Sequence, residues 1–96
     1  MKRESLKQHI DNTIISKCKL PHNFFESKPD KGESILIRKD LIKDNIKWYE
    51  ILLEIEKKCK ILVNDELLLK DNITYREFVN TFYNEIKKEK MGLVWN

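Results

Sequence analysis

The side chains in this 96-residue chain that could act as nucleophile, acid–base group or metal ligand are spaced so that they assemble no catalytic set. Its two cysteines, Cys18 and Cys59, lie far apart and form no CxxC pair. Neither His9 nor His22 stands at metal-ligand spacing from them. Both cysteines read as small apolar residues of helices. His9 falls on the polar side of its helix, and neither histidine has a nucleophile for a neighbour. Glu50, Glu54 and Lys57 or Lys58 recur at helical spacing, a pattern that makes surface ion pairs rather than acid–base machinery. The expectation is a protein without enzymatic activity and without a metal.

The elements that would hold any site are helical. With 41% hydrophobic residues but only two Gly and two Pro, the chain has material for a core and lacks the turns of a many-stranded fold. Its length suits one domain over residues 1–96. The 19 basic and 16 acidic residues leave a net charge of +3 and are interleaved, as in Glu54–Ile55–Glu56–Lys57–Lys58. Arginine occurs only at Arg3, Arg38 and Arg76. A nucleic-acid binder gathers its basic residues on one face, so nucleic acid is not an expected partner. Nor is a membrane, because the longest apolar runs, such as Leu67–Leu68–Leu69, are far too short to span one. No apolar run follows Met1–Lys2–Arg3, so no secretory segment is expected and the location expected is cytoplasmic.

Along the chain, Leu6, Ile10, Ile14 and Cys18 predict a helix from Ser5 to about Lys19, with Ser5 and Gln8 as a capping box and Pro21 beyond its end. Residues 20 to 43 form a long loop in which Phe24 and Phe25 plug the core and 27–32 turn. Ser34–Arg38 reads as extended loop or a short irregular helix laying Ile35 and Ile37, or Leu36, on the bundle. A second helix runs from about Asp44 to Lys60, capped by Asp44 or Asn45, with Ile46, Tyr49, Leu52 (with Leu53), Ile55 and Cys59 as its apolar stripe. Asn64 or Asp65 caps a brief helix carrying Leu67, Leu68 and Leu69. Thr74–Tyr75–Arg76–Glu77 is a capping box that opens a last helix with Phe78, Val79, Phe82 and Ile86 inward and Tyr75 and Tyr83 flanking. Gly92 marks its end, leaving an apolar tail to Trp95.

The segment from Asp40 to about Ile86 resembles acyl carrier proteins. That family opens its second helix with D-L-G-x-D-S-L, and here Asp40–Leu41–Ile42–Lys43–Asp44–Asn45–Ile46 fills the frame. The helix continues to Lys57 much like the family's V-E-L-x-x-x-L-E-E. Val63–Asn64–Asp65–Glu66–Leu67 parallels the I-P-D-E-E turn, and Asn72–Ile73–Thr74–Tyr75 echoes I-x-T-V before the last helix. The resemblance covers half the chain in good register and the first helix loosely. It implies an all-α, acyl-carrier-like four-helix bundle of three longer helices and one short, with a long loop between helices one and two.

The chemistry of the family is not retained. A carrier presents a serine at the start of helix two, whose hydroxyl oxygen is joined to 4′-phosphopantetheine. Asn45 stands there, and an amide is not nucleophilic under such conditions. Ile42 replaces the motif's glycine, while Asp44 and an apolar Ile46 remain. Both Asp44 and Asn45 are favoured helix caps, so the fold survives the change. Ser34, in Gly32–Glu33–Ser34–Ile35–Leu36, is a fallback attachment site by likeness to peptidyl carrier domains, but it is out of register with Asp65–Glu66. Carriers are also strongly acidic, whereas helix two here mixes Lys47, Lys57, Lys58 and Lys60 with Glu50, Glu54 and Glu56, weakening attraction to a basic partner.

The expected function is therefore a non-enzymatic, carrier-like protein without phosphopantetheine or other cofactor, acting by binding a protein partner. Lys47, Trp48, Glu50 and Ile51 are the candidate contact residues. Of the adjacent Trp48 and Tyr49, one must face away from the stripe, and Trp95 adds a second candidate anchor. Two alternatives are a working acyl carrier in lipid or polyketide-type biosynthesis, modified at Ser34, and a small helical immunity or inhibitor protein.

Overall fold

The computed structural model describes residues 2–63 and 70–95, with side chains through residue 88. The short helix expected after Asn64 or Asp65 lies outside the described residues. Three α-helices carry the fold: α1 (Arg3–Cys18), α2 (Asn45–Cys59) and α3 (Tyr75–Trp95). Among the described residues there is no strand, only an isolated antiparallel bridge between Leu36 and Thr74. The chain is all-α, as its composition suggests.

In α1 the apolar spacing works as read, with Leu6, Ile10 and Ile14 buried and Ile15 and Cys18 packed at the margin. The start differs: the helix opens at Arg3 behind Lys2, which makes no side-chain cap, so Ser5 is an interior residue rather than a box. Lys19 ends the helix in a left-handed conformation at φ 55°, two residues before Pro21. Helix α1 packs against α2, with the Lys58 ammonium 3.4 Å from Thr13 Oγ1. It runs antiparallel to α3, since Arg3 Nε donates to Asn80 at 2.6 Å while Asp11 meets Tyr75.

The first residue of α3 stacks in the core and its start is fully capped. The Thr74 hydroxyl accepts from Glu77 N–H at 3.2 Å, and the Glu77 carboxylate accepts from Thr74 N–H at 3.2 Å. The remaining first-turn amides are met from the long loop: Tyr75 N–H donates to the Ile35 carbonyl at 2.8 Å and Arg76 N–H to that of Glu33 at 3.0 Å. A helix start leaves such donors orphaned, and here a distant segment accepts them. The stripe of Phe78, Val79, Phe82 and Ile86 is buried as expected. Gly92 does not end the helix, which continues to Trp95; one glycine weakens a helix by about 1 kcal/mol and no proline follows to stop it.

The loop is therefore structural. Phe25 is buried and stacks on Tyr75 with centroids 4.7 Å apart. Ile37 is buried, opens a single π-type turn (Ile37–Leu41) and donates its N–H to the Ile73 carbonyl at 3.0 Å. Asp30 and Lys31 are left-handed, as is Gly32 at φ 83°, where a Cβ would stand 2.8 Å from the Phe25 ring.

In α2 the expected stripe holds at Leu52 and Ile55, with Cys59 at the core margin, but not at Ile46, Tyr49 and Leu53. Trp48, Ile51, Leu52 and Ile55 face the core, whereas Ile46, Tyr49 and Leu53 face outward. Trp48 packs on Phe78 at 5.3 Å, and Phe78 on Phe82 at 5.1 Å, so the aromatic interior runs from α2 into α3. Replacing Thr74 with alanine removes one half of the reciprocal cap. Urea denaturation of Thr74→Ala is expected to show a loss of about 1 kcal/mol.

Candidate functional site

The start of α2 is built by three residues. Asp44 is the N-cap, its carboxylate accepting from Ile46 N–H at 2.8 Å. Asn45 is the first helical residue, exposed, and its amide oxygen accepts from the Arg38 guanidinium. Arg38 reaches this point from the π-type turn and lies over Trp48, 5.1 Å from the ring centroid, an arrangement that favours a cation on an indole face. Among the described residues Arg38 Nη1 and Trp48 Nε1 are buried without a hydrogen-bond partner. Ile42 is buried in the core.

Of the four contact residues expected on α2, two are not at the surface. Trp48 is 1% exposed and Ile51 0%, because the helix is rotated so that both fill the core. Lys47 is half-buried and Glu50 exposed. The apolar residues that do face outward are Ile46 at 71%, Tyr49 at 52% and Leu53 at 64%, joined beyond the helix by Leu62 at 82%. Tyr49 is thus the aromatic that turns away from the core. At the C-terminal end of this face Leu53, Ile61 and Leu62, with Glu56, Lys57 and Lys60, line an open cleft of about 570 Å³.

Ser34 is exposed in the turn after Gly32, and its hydroxyl donates to the Asp30 carboxylate. That bond, helped by Arg76, holds the Asp30 carboxyl below its ordinary value. Cys18 and Cys59 are free and half-buried, and burial pushes both thiols up, away from the nucleophilic thiolate. His9 and His22 are exposed. Among the described residues no three metal-ligating side chains come together, and no helix is long and apolar enough to cross a membrane.

A second polar cluster was not foreseen. Lys7 is only 8% exposed. Its ammonium donates to Asp11 at 3.1 Å and to the Lys31 carbonyl at 3.0 Å, over the rings of Phe25 and Tyr75 at 5.5 and 5.3 Å. Tyr75, fully buried, donates its phenol hydrogen to Asp11. Burial raises the Asp11 carboxyl despite the Tyr75 hydrogen bond and the Lys7 charge. Burial, then the Asp11 charge, holds the Tyr75 phenol well above its ordinary 10.0. Arg3 and Glu33, paired at 2.5 Å, line a surface cleft together with Lys7 and Asp11. Lys7 is paired with Asp11 and Arg3 with Glu33, while the Glu26 charge adds to the rise of the Asp11 carboxyl. The Lys7–Asp11 spacing was visible in the sequence, but nothing there tied it to Tyr75.

No protein-family model matches the chain, and no curated protein or solved structure is significantly similar to it.

Removing Asp11 strands a buried cation and deprives Tyr75 of its acceptor, so Asp11→Ala is expected to lose about 3 kcal/mol or more in chemical denaturation. Because Tyr75 holds its proton more tightly folded than unfolded, its contribution is complete below pH 10 and falls as pH rises past 10. Denaturation curves in that range should show the stability difference between wild type and Tyr75→Phe shrinking with rising pH.

Proposed function

We propose that this chain is a non-enzymatic, carrier-like protein that bears no phosphopantetheine and acts by docking the outer face of α2 on a protein partner. The observation that carries the reading is Asn45. It opens α2 directly after its capping Asp44, the position at which a carrier presents serine, and its amide is engaged by Arg38. An amide offers no hydroxyl for a transferase to activate. Buried Ile42 extends the departure from the carrier motif into the core. What α2 retains is a surface: three apolar side chains at helical spacing turned to solvent, where contiguous exposed apolar patches mark interaction sites.

Modification at Ser34 is the weaker reading. Its hydroxyl is occupied by Asp30, and a single π-type turn rather than a long helix follows it.

Intact-mass measurement after co-expression with a promiscuous phosphopantetheinyl transferase tests this directly. The wild-type mass is expected to stay unchanged. A gain equal to the phosphopantetheine group would reverse the reading, and peptide mapping would show whether Ser34 had taken it. Under the same conditions Asn45→Ser is expected to become a substrate, since the change restores the one missing nucleophile at an exposed helix start.

A further inference from the structure

We propose that the outer face of α2 is a self-association surface on which two copies pair α2 against α2, antiparallel, across a two-fold axis near Leu53. The inference rests on reading that face as a docking surface, and it is independent of whether the chain carries a prosthetic group.

The first support is the size and continuity of the apolar patch. Ile46, Tyr49 and Leu53 stand at i, i+3 and i+7, and Leu53 shares the cleft at the helix end with Ile61 and Leu62. Four large side chains at these exposures amount to on the order of 500 Å² of apolar surface, toward the upper end of what a monomer leaves uncovered. Doubled across a two-fold axis, the area reaches about 1,000 Å², the lower bound for a specific interface.

The second support is the order of charges along the same face. Exposed Glu50 stands before Leu53, and exposed Lys57 and Lys60 stand after it, with half-buried Glu54 directly beyond Leu53. The carboxylate of Glu56 is already engaged by Val63 N–H at 2.8 Å, so lysine dominates the C-terminal half. With Leu53 on the axis of an antiparallel pair, Glu50 of one copy comes opposite Lys57 of the second. Ile46 then lies over the cleft formed by Ile61 and Leu62 of the second copy, with the aliphatic stem of Lys60 beside it. A parallel pair would instead set glutamate against glutamate and lysine against lysine. The face is thus complementary to itself in one orientation, which is what a closed two-fold interface requires and an unrelated partner does not.

Sedimentation of the full chain, from low micromolar to near millimolar at low salt, tests the proposal. The wild type is expected to show a reversible monomer–dimer equilibrium. Leu53→Glu should weaken it roughly tenfold or more, as loss of a central anchor does. Glu50→Lys and Lys57→Glu should each weaken it, and the double exchange should recover most of the wild-type affinity. All three positions are exposed, and circular dichroism of each variant checks that it folds. A wild type that stays monomeric throughout overturns the proposal. So does a dimer indifferent to Leu53→Glu, which would use another surface, or a double exchange that recovers nothing, which would mean these residues do not face each other. The transferase mass measurement judges the carrier-like reading separately, so either can fail alone.

Discussion

Lys7 carries a positive charge into the interior, and what that charge needs ties three parts of the chain together. An ion leaves water at a penalty of several kcal/mol unless its partners are close and well directed. Here Asp11 comes from the next turn of α1, the Lys31 carbonyl from the long loop, and the ring of Tyr75 from the first residue of α3. Tyr75 binds the same carboxylate, so Asp11 is shared between a cation and a phenol. Phe25 stacks on Tyr75 and covers the ammonium from the loop side. The geometry of each element is thereby conditional on the other two, in a way that apolar packing alone would not impose.

Helix α2 stands somewhat apart from this centre. It joins through Trp48 and Ile51 on the core side and presents Ile46, Tyr49 and Leu53 on the other. A helix apolar on two faces spends part of its hydrophobic surface without burial in the monomer, a state that functional surfaces commonly tolerate. Its start is capped by Asp44, and the Asn45 amide oxygen there is a neutral acceptor bound by the Arg38 guanidinium.

What could be read from the sequence follows from how local the determinants are. The stripes of α1 and α3 and the Thr74–Glu77 cap depend on residues within one or two turns, and those readings match the structure. The phase of α2 does not yield to the same logic. With apolar residues at 46, 48, 49, 51, 52, 53 and 55, periodicity admits more than one buried face, and the choice is made by Phe78 across the core. The position of Asp44 and Asn45 was legible from spacing, but the partner of Asn45 was not, because Arg38 arrives from a turn with no regular pattern. The order of the loop was equally hidden. Its Ile35 and Glu33 carbonyls accept from the Tyr75 and Arg76 amides, and its Ile37 amide donates to the Ile73 carbonyl, roughly forty residues on, and no local rule reports such a pairing.

The service that residues 33–37 give to the start of α3 has a consequence for motion. Loops of this length ordinarily open at little free energy, and their amides exchange with solvent through local fluctuation. Lifting this one would uncover the Tyr75 and Arg76 amides, withdraw the Lys31 carbonyl from a buried ammonium and unstack Phe25, all in one step. Its opening free energy is therefore drawn toward that of global unfolding. The contacts place the long connection in one cooperative unit with α1 and α3, so its buried amides, such as that of Ile37, should exchange on the timescale of the core.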